Sequence, residues 1–155
     1  NILRIEKIQT LKSNKLTPEL SLKKGSYTKT KPNKTDKNDI NCAIKSLNSA
    51  GSFSHIQGAI SRNNKVIRIE GKGGTQRMIK SLKKSSNELK GVLVKFPQKK
   101  QDLRIDLPTI GIDTLRQCKT AGLKGVVLKN KMNIVLDKKQ CVKFANNNKM
   151  FILVK

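Results

Sequence analysis

The 155-residue chain has no tryptophan, one tyrosine, four phenylalanines and a single histidine. Its core must therefore be aliphatic, built from Ile, Leu and Val, and modest in size. Rows of aromatic side chains that stack on nucleobases are excluded by the same shortage. Acidic residues are scarce too: ten against 34 Lys plus Arg, a formal charge of +24. The three cysteines, Cys42, Cys118 and Cys141, form no CxxC pair. Zinc sites need ligands at short spacing, so a structural zinc is not expected. A sparse, odd count fits reduced thiols in a cytoplasmic setting. No apolar run reaches the roughly 18 residues of a membrane span, and no signal peptide is recognisable. Asn1 is not an initiator methionine, so the chain is expected to begin inside a longer product.

A charge of this size attracts polyanions: nucleic acid, an anionic membrane surface or a phosphorylated ligand. An AT-rich coding sequence enriches Lys and Asn equally, so charge alone names no partner.

The length suits one domain of about 100–200 residues. In "ILRIEKIQTLKS" the apolar residues Ile2, Ile5, Ile8 and Leu11 recur at helical spacing, which predicts a helix over 1–13. With nothing of its own to pack on, it reads as the end of a missing N-terminal domain. Residues 14–38 are polar and broken by Pro18, Gly25 and Pro32. They are expected to be an extended linker with at most one short strand near Leu20–Leu22. From Asp39 onward strands and helices alternate. The pattern gives a helix over "DINCAIKSLNSAG", a hairpin turning at Asn63-Asn64, and a helix opened by "GGT". The buried strand "GVLVKF" follows, then the helix "IDTLRQCKTAG", a hairpin turning at Asn130-Lys131, a last helix and the strand "MFILVK". Such alternation predicts an α/β domain over 39–155, with a mixed, largely parallel sheet flanked by helices.

One loop concentrates the chemistry. "QDLRIDLPTIG" places Asp102 and Asp106 four positions apart around Arg104, in a chain with ten acids altogether. It lies after a strand and before a helix, where ligands bind in sheets of this class. Pro108 stiffens the segment. Thr109 and Gly111 stand at the helix start, where backbone N–H groups favour phosphate. Lys95 emerges from the strand end towards the same space. Asp102 and Asp106 suit a magnesium ion, which takes one or two carboxylates plus substrate phosphates, and Arg104 suits a phosphate oxygen. These are the parts needed to hydrolyse a phosphoanhydride. The plainer alternative has either aspartate capping the next helix or pairing with Lys99 or Arg104. A second Gly-rich turn, "EGKGGTQRM", offers backbone N–H groups to phosphate. His55 is the only histidine that could act as a base.

The segments "GVLVKFPQKKQDLRIDLPTIG", "AGLKGVVL" and "FILV" closely resemble the C-terminal domain of the bacterial UDP-2,3-diacylglucosamine pyrophosphatases of the LpxI family. Upstream, "LTPELSLKKG" is similar to the family's linker. "GSFSHIQGAI" is similar to its LDIGQ segment, and "IEGKGGTQRM" to its VEAxEGTDAM segment. The resemblance covers roughly residues 17–155 and implies the C-terminal domain of a two-domain protein. It implies hydrolysis of UDP-2,3-diacylglucosamine to lipid X and UMP in lipid A biosynthesis. A divalent metal, Mg2+ or Mn2+, is implied at a site completed by the missing N-terminal domain. The implied location is the cytoplasm, peripheral to the inner membrane, with no specific nucleic-acid partner. The aspartate before LPTIG is Asp106, implied to be catalytic and a metal ligand, with Asp102 a lesser ligand. Thr75 and Gln57 keep the threonine and glutamine of their segments and are implied to bind substrate beside Lys95, Arg104, Thr109 and Gly111. Three acids of the pattern are absent: Gly73, Gln76 and Ser54 stand in their places, and Ile56 replaces a glycine. Two alternatives follow. One is a non-catalytic module that binds anions or lipid precursors, the other a non-specific nucleic-acid binder.

Overall fold

A computed structural model describes residues 5–7, 11, 17–50, 56–82, 88–98, 102–104 and 106–155. The helix expected over 1–13 lies almost wholly outside the described residues, as do His55, Ser54 and Lys99. A short 3-10 turn, Pro18–Leu20, leads into β1 (Gly25–Ser26), α1 (Lys34–Ser49), and the hairpin β2 (Gly58–Arg62) and β3 (Lys65–Ile69). Then come α2 (Gly74–Lys80), β4 (Val92–Lys95), β5 (Thr109–Ile110), α3 (Ile112–Thr120) and β6 (Gly125–Leu128). β7 (Ile134–Val135), α4 (Lys138–Asn147) and β8 (Phe151–Val154) complete the chain.

The main sheet has six strands in the order β1-β8-β6-β4-β2-β3. Its centre, β4, β6 and β8, is parallel, while β2, β3 and β1 add antiparallel edges. The α/β class and the mixed sheet expected from the sequence are those observed. The parallel strands "VLVK", "GVVL" and "FILV" are rich in branched aliphatics and almost entirely buried, as strands covered on both faces must be. Edge strand β3 is instead largely exposed, and its Lys65 and Arg68 discourage pairing with another chain.

Alternation along the strands splits the core into two layers. Ile40 and Ala43 of α1 meet Ala59, Val92, Val94, Val127 and Phe151 on one face. Ile60, Leu93, Val126, Leu128 and Ile152 face the side chains of α2, α3 and α4 on the other. Gly125 opens β6 because its register partner, Phe151, lies there. A Cβ at Gly125 would come within 2.2 Å of that ring.

The reading of residues 14–38 as linker changes. β1 pairs with β8, register Gly25 to Val154, and so is the sheet's sixth strand. α1 begins at Lys34, not Asp39: Asn33 and Asp36 form a reciprocal capping box, which satisfies two otherwise orphaned donors. Asp36 also receives the Lys124 ammonium at 2.7 Å, tying this helix start to the strand β6. The hairpin expected at Asn130-Lys131 is also corrected. Both flanks of β6 are occupied by β4 and β8, so β7 pairs in parallel with β5 instead.

Candidate functional site

Because β4, β6 and β8 run the same way, their carboxyl ends share one edge of the sheet. The antiparallel β2 brings Gly58 opposite Lys95 at that edge. Glu70 follows β3 there, its N–H donating to the Gly58 carbonyl at 2.8 Å. A buried polar cluster results. Lys95 and Glu70 are 6% and 5% exposed, and Lys95 Nζ lies 3.6 Å from Glu70 Oε1. The Thr75 hydroxyl bridges them, accepting from the Lys95 ammonium and donating to Glu70 Oε1. Glu70 Oε2 accepts from the Gln57 N–H at 3.0 Å. Gly58 is required beneath this carboxylate, since a Cβ there would stand 3.1 Å from Glu70 Oε2 and from Met78 Cε.

The second part is the loop carrying "DLPTIG". β5 pairs with β7 beside the carboxyl ends of β4 and β6. Asn133, 2% exposed, fastens it. Its amide donates to the carbonyls of Lys95 (3.0 Å) and Pro108 (3.2 Å). Its Oδ1 accepts from the Lys129 N–H at 2.8 Å. One side chain thus joins β4, the β6–β7 connection and the Asp106–Gly111 segment, with every polar atom engaged.

Asp102 and Arg104 pair within the loop. Arg104 donates from Nε (2.9 Å) and Nη2 (2.7 Å) to the Asp102 carboxylate, and its backbone N–H reaches Oδ1 at 3.0 Å. Those bonds from Arg104 pull the Asp102 carboxyl down to about pKa 2 and push the guanidinium up. The Asp106 N–H then donates to the Asp102 carbonyl at 3.0 Å, closing a turn. Asp106 itself is exposed, and no described residue binds its carboxylate.

The expected site residues therefore separate. Lys95 and Thr75 meet in the buried cluster, joined by the Gln57 backbone. Arg104 and Asp102 engage each other at the surface. Thr109 is exposed and its hydroxyl donates to the Leu107 carbonyl at 3.1 Å, while Gly111 is the residue preceding α3, in extended conformation. Neither aspartate caps that helix. A cavity of about 500 Å3 borders Thr75, lined by Gln76 of α2 and by Asp113, Thr114, Arg116 and Gln117 of α3. Two participants escaped the sequence reading, Glu70 and Asn133. Glu70 had a signal, an acid in a chain poor in acids just before a Gly-rich turn. Asn133 had none.

The described residues hold no group of three His, Cys, Asp or Glu side chains placed for a metal. Asp102 is committed to Arg104, so the only open carboxylate in the loop is that of Asp106. One carboxylate suits a magnesium ion that brings its other ligands with substrate phosphates and water. It does not suit an ion held by the protein alone.

Fold and site together define an α/β domain with polar groups gathered where its parallel strands end. The family described as the LpxI C-terminal domain matches residues 23–153, and the chain belongs to it. It is 29% identical over 142 residues to a protein of Caulobacter vibrioides named UDP-2,3-diacylglucosamine pyrophosphatase LpxI. That match covers 87% of this chain and 51% of the relative, so the chain spans about half the length of the curated protein it matches.

Proposed function

We propose that this chain is the C-terminal half of a hydrolase that cleaves the pyrophosphate of UDP-2,3-diacylglucosamine, giving lipid X and UMP in lipid A biosynthesis. The observation that carries the reading is the exposed Asp106 carboxylate, presented by a loop anchored through Asn133 to the carboxyl end of β4. Membership of the LpxI C-terminal domain family and the name of the Caulobacter relative supply the reaction.

In this reading water adds to one phosphorus as the bond to the bridging oxygen breaks, and the departing phosphate keeps that electron pair. The water's proton passes to Asp106. Arg104 offsets the substrate's negative charge, with Gln57, Thr109 and Gly111 bordering the substrate, while Lys95, buried against Thr75 and Glu70, holds the strand end and does not reach the substrate. A divalent ion, Mg2+ or Mn2+, held by Asp106 and the substrate phosphates, would supply Lewis acidity. Asp102 has the role of fixing Arg104.

One observation favours a second reading, a non-catalytic module that binds the same anionic lipid precursor. Gly73 and Gln76 provide no carboxylate where the family pattern has Glu and Asp. Release of UMP from UDP-2,3-diacylglucosamine with Mg2+ or Mn2+ decides between them. Turnover is expected, with loss of at least a hundredfold in Asp106→Asn, the order seen when a catalytic proton acceptor is removed. Binding without turnover, in this chain and in its full-length parent alike, would establish the second reading. Undiminished turnover in Asp106→Asn would overturn the role given to that residue.

A further inference from the structure

Most of the +24 charge has no part in the reaction above, and one surface gathers four of the lysines. Between α4 and the segment following β1 runs an open groove of about 510 Å3. Tyr27 and Val142 form its half-buried floor, and Lys29, Lys138, Lys139 and Lys143 rim it. No acidic residue lines it, and α4 contains none. None of the four lysines has an ion-pair partner among the described residues. The groove is a built feature of the fold: the Lys29 N–H donates to Asn146 Oδ1 at 2.8 Å, and the Tyr27 N–H to the Ile152 carbonyl at 3.0 Å. The opposite face of α4, Cys141 and Ala145, is buried in the core, which turns Lys139 and Lys143 outward.

We infer that this groove docks the chain on an anionic phospholipid bilayer. Charge complementarity is the first argument, since four uncompensated ammonium groups on one face match a layer of phosphates. The floor is the second. A cationic rim around apolar side chains fits the boundary between headgroups and acyl chains, where lysine stems lie along apolar surface and their ammonium groups reach the phosphates. A single-stranded nucleic acid would ask for several aromatic rings in succession, and the groove has only Tyr27. The inference does not rest on the proposed hydrolysis.

Co-sedimentation with phosphatidylcholine vesicles, with and without phosphatidylglycerol, tests it. Wild-type protein is expected to bind only the vesicles containing phosphatidylglycerol. Each lysine near an anionic surface contributes about fivefold. The triple variant Lys138→Gln, Lys139→Gln, Lys143→Gln should therefore lose about a hundredfold. The control Lys34→Gln, Lys37→Gln, Lys45→Gln removes the same charge from α1, on the other face of the sheet, and should lose only a few-fold. Equal losses in the two variants would reduce the effect to net charge and overturn the groove. So would release from vesicles by millimolar inorganic phosphate, which would mark a small-anion site, or tighter binding to single-stranded RNA than to vesicles at the same salt.

Discussion

The ammonium of Lys95 lies 3.6 Å from the carboxylate of Glu70, and both side chains are less than one-tenth exposed. They come from β4 and from the end of β3, separated by β2. A buried pair is costly to break, because the surviving partner keeps an uncompensated charge. Lys95→Met should destabilise the fold by about 3–5 kcal/mol. Adding Glu70→Gln should recover much of that loss. Urea unfolding of the two variants checks it, and a double variant no more stable than the single one would contradict the pairing.

Asn133 makes three hydrogen bonds to backbone groups, two of them in distant segments. Asn133→Ala removes one donor from each of the carbonyls of Lys95 and Pro108, of which Pro108 keeps the Ile134 N–H at 3.0 Å, and the lost pairing costs about 1–3 kcal/mol. The expected outcome is a lower unfolding midpoint together with faster amide exchange at Ile110 and Ile134, on the strands β5 and β7. Unchanged exchange there would show that the mini-sheet holds the loop without Asn133.

Asp102 should titrate far below an ordinary aspartate. Its folded value, about 2 against a usual 3.8, is depressed. The contribution of its bonds to Arg104 is therefore fully present above about pH 4 and lost as pH falls towards 2. The pair is solvent-exposed, so its effect on global stability is small. The measurement is the carboxyl carbon shift of Asp102 by NMR, with a midpoint near 2, lost in Arg104→Gln. A midpoint near 4 in the unaltered chain would contradict the bidentate pair.

Burial pushes the Cys118 thiol up to about pKa 12, and burial with the nearby Asp137 charge pushes Cys141 to about 11. At pH 8 neither supplies appreciable thiolate, the reactive form. Cys42 is only partly buried and donates its thiol to the Asn64 carbonyl at 3.4 Å. Native protein should therefore show one fast thiol towards a disulfide reagent, assignable to Cys42 by peptide mapping. The other two should react only on unfolding.

Gly58→Ala places a methyl group 3.1 Å from Glu70 Oε2 and Met78 Cε. Overpacking of this kind typically costs about 1–3 kcal/mol. Here it should also displace the carboxylate that holds Thr75, so any UMP release should fall along with the melting temperature. Gly71→Ala, with nothing within 4 Å of the new atom, is the neutral comparison.

Much of the secondary structure was legible in the residues themselves. Runs of Val, Leu and Ile marked β4, β6 and β8, and helical spacing marked α1 and α2. The hairpin turn at Asn63-Asn64 was legible because Asn tolerates positive φ, and both residues adopt it, at 54° and 62°. The Asp106 loop was found by its acids in a basic chain. The second hairpin was misread because "KNKMN" carries the same turn chemistry as a true hairpin. Nothing local records that both flanks of β6 are taken. The start of α1 was missed because its capping box sits in a polar stretch that resembled a linker.

What the sequence by itself determined is where most of the strands and helices fall, together with the family, since these depend on residues near one another along the chain. Only the tertiary structure decided that Lys95 faces Glu70 rather than a phosphate-lined loop. Tertiary structure likewise decided that Asn133 joins β4 to Pro108. Strand pairing and register set those contacts, bringing together residues 25 to 38 positions apart, and no periodicity within a single segment encodes which neighbour a strand will take.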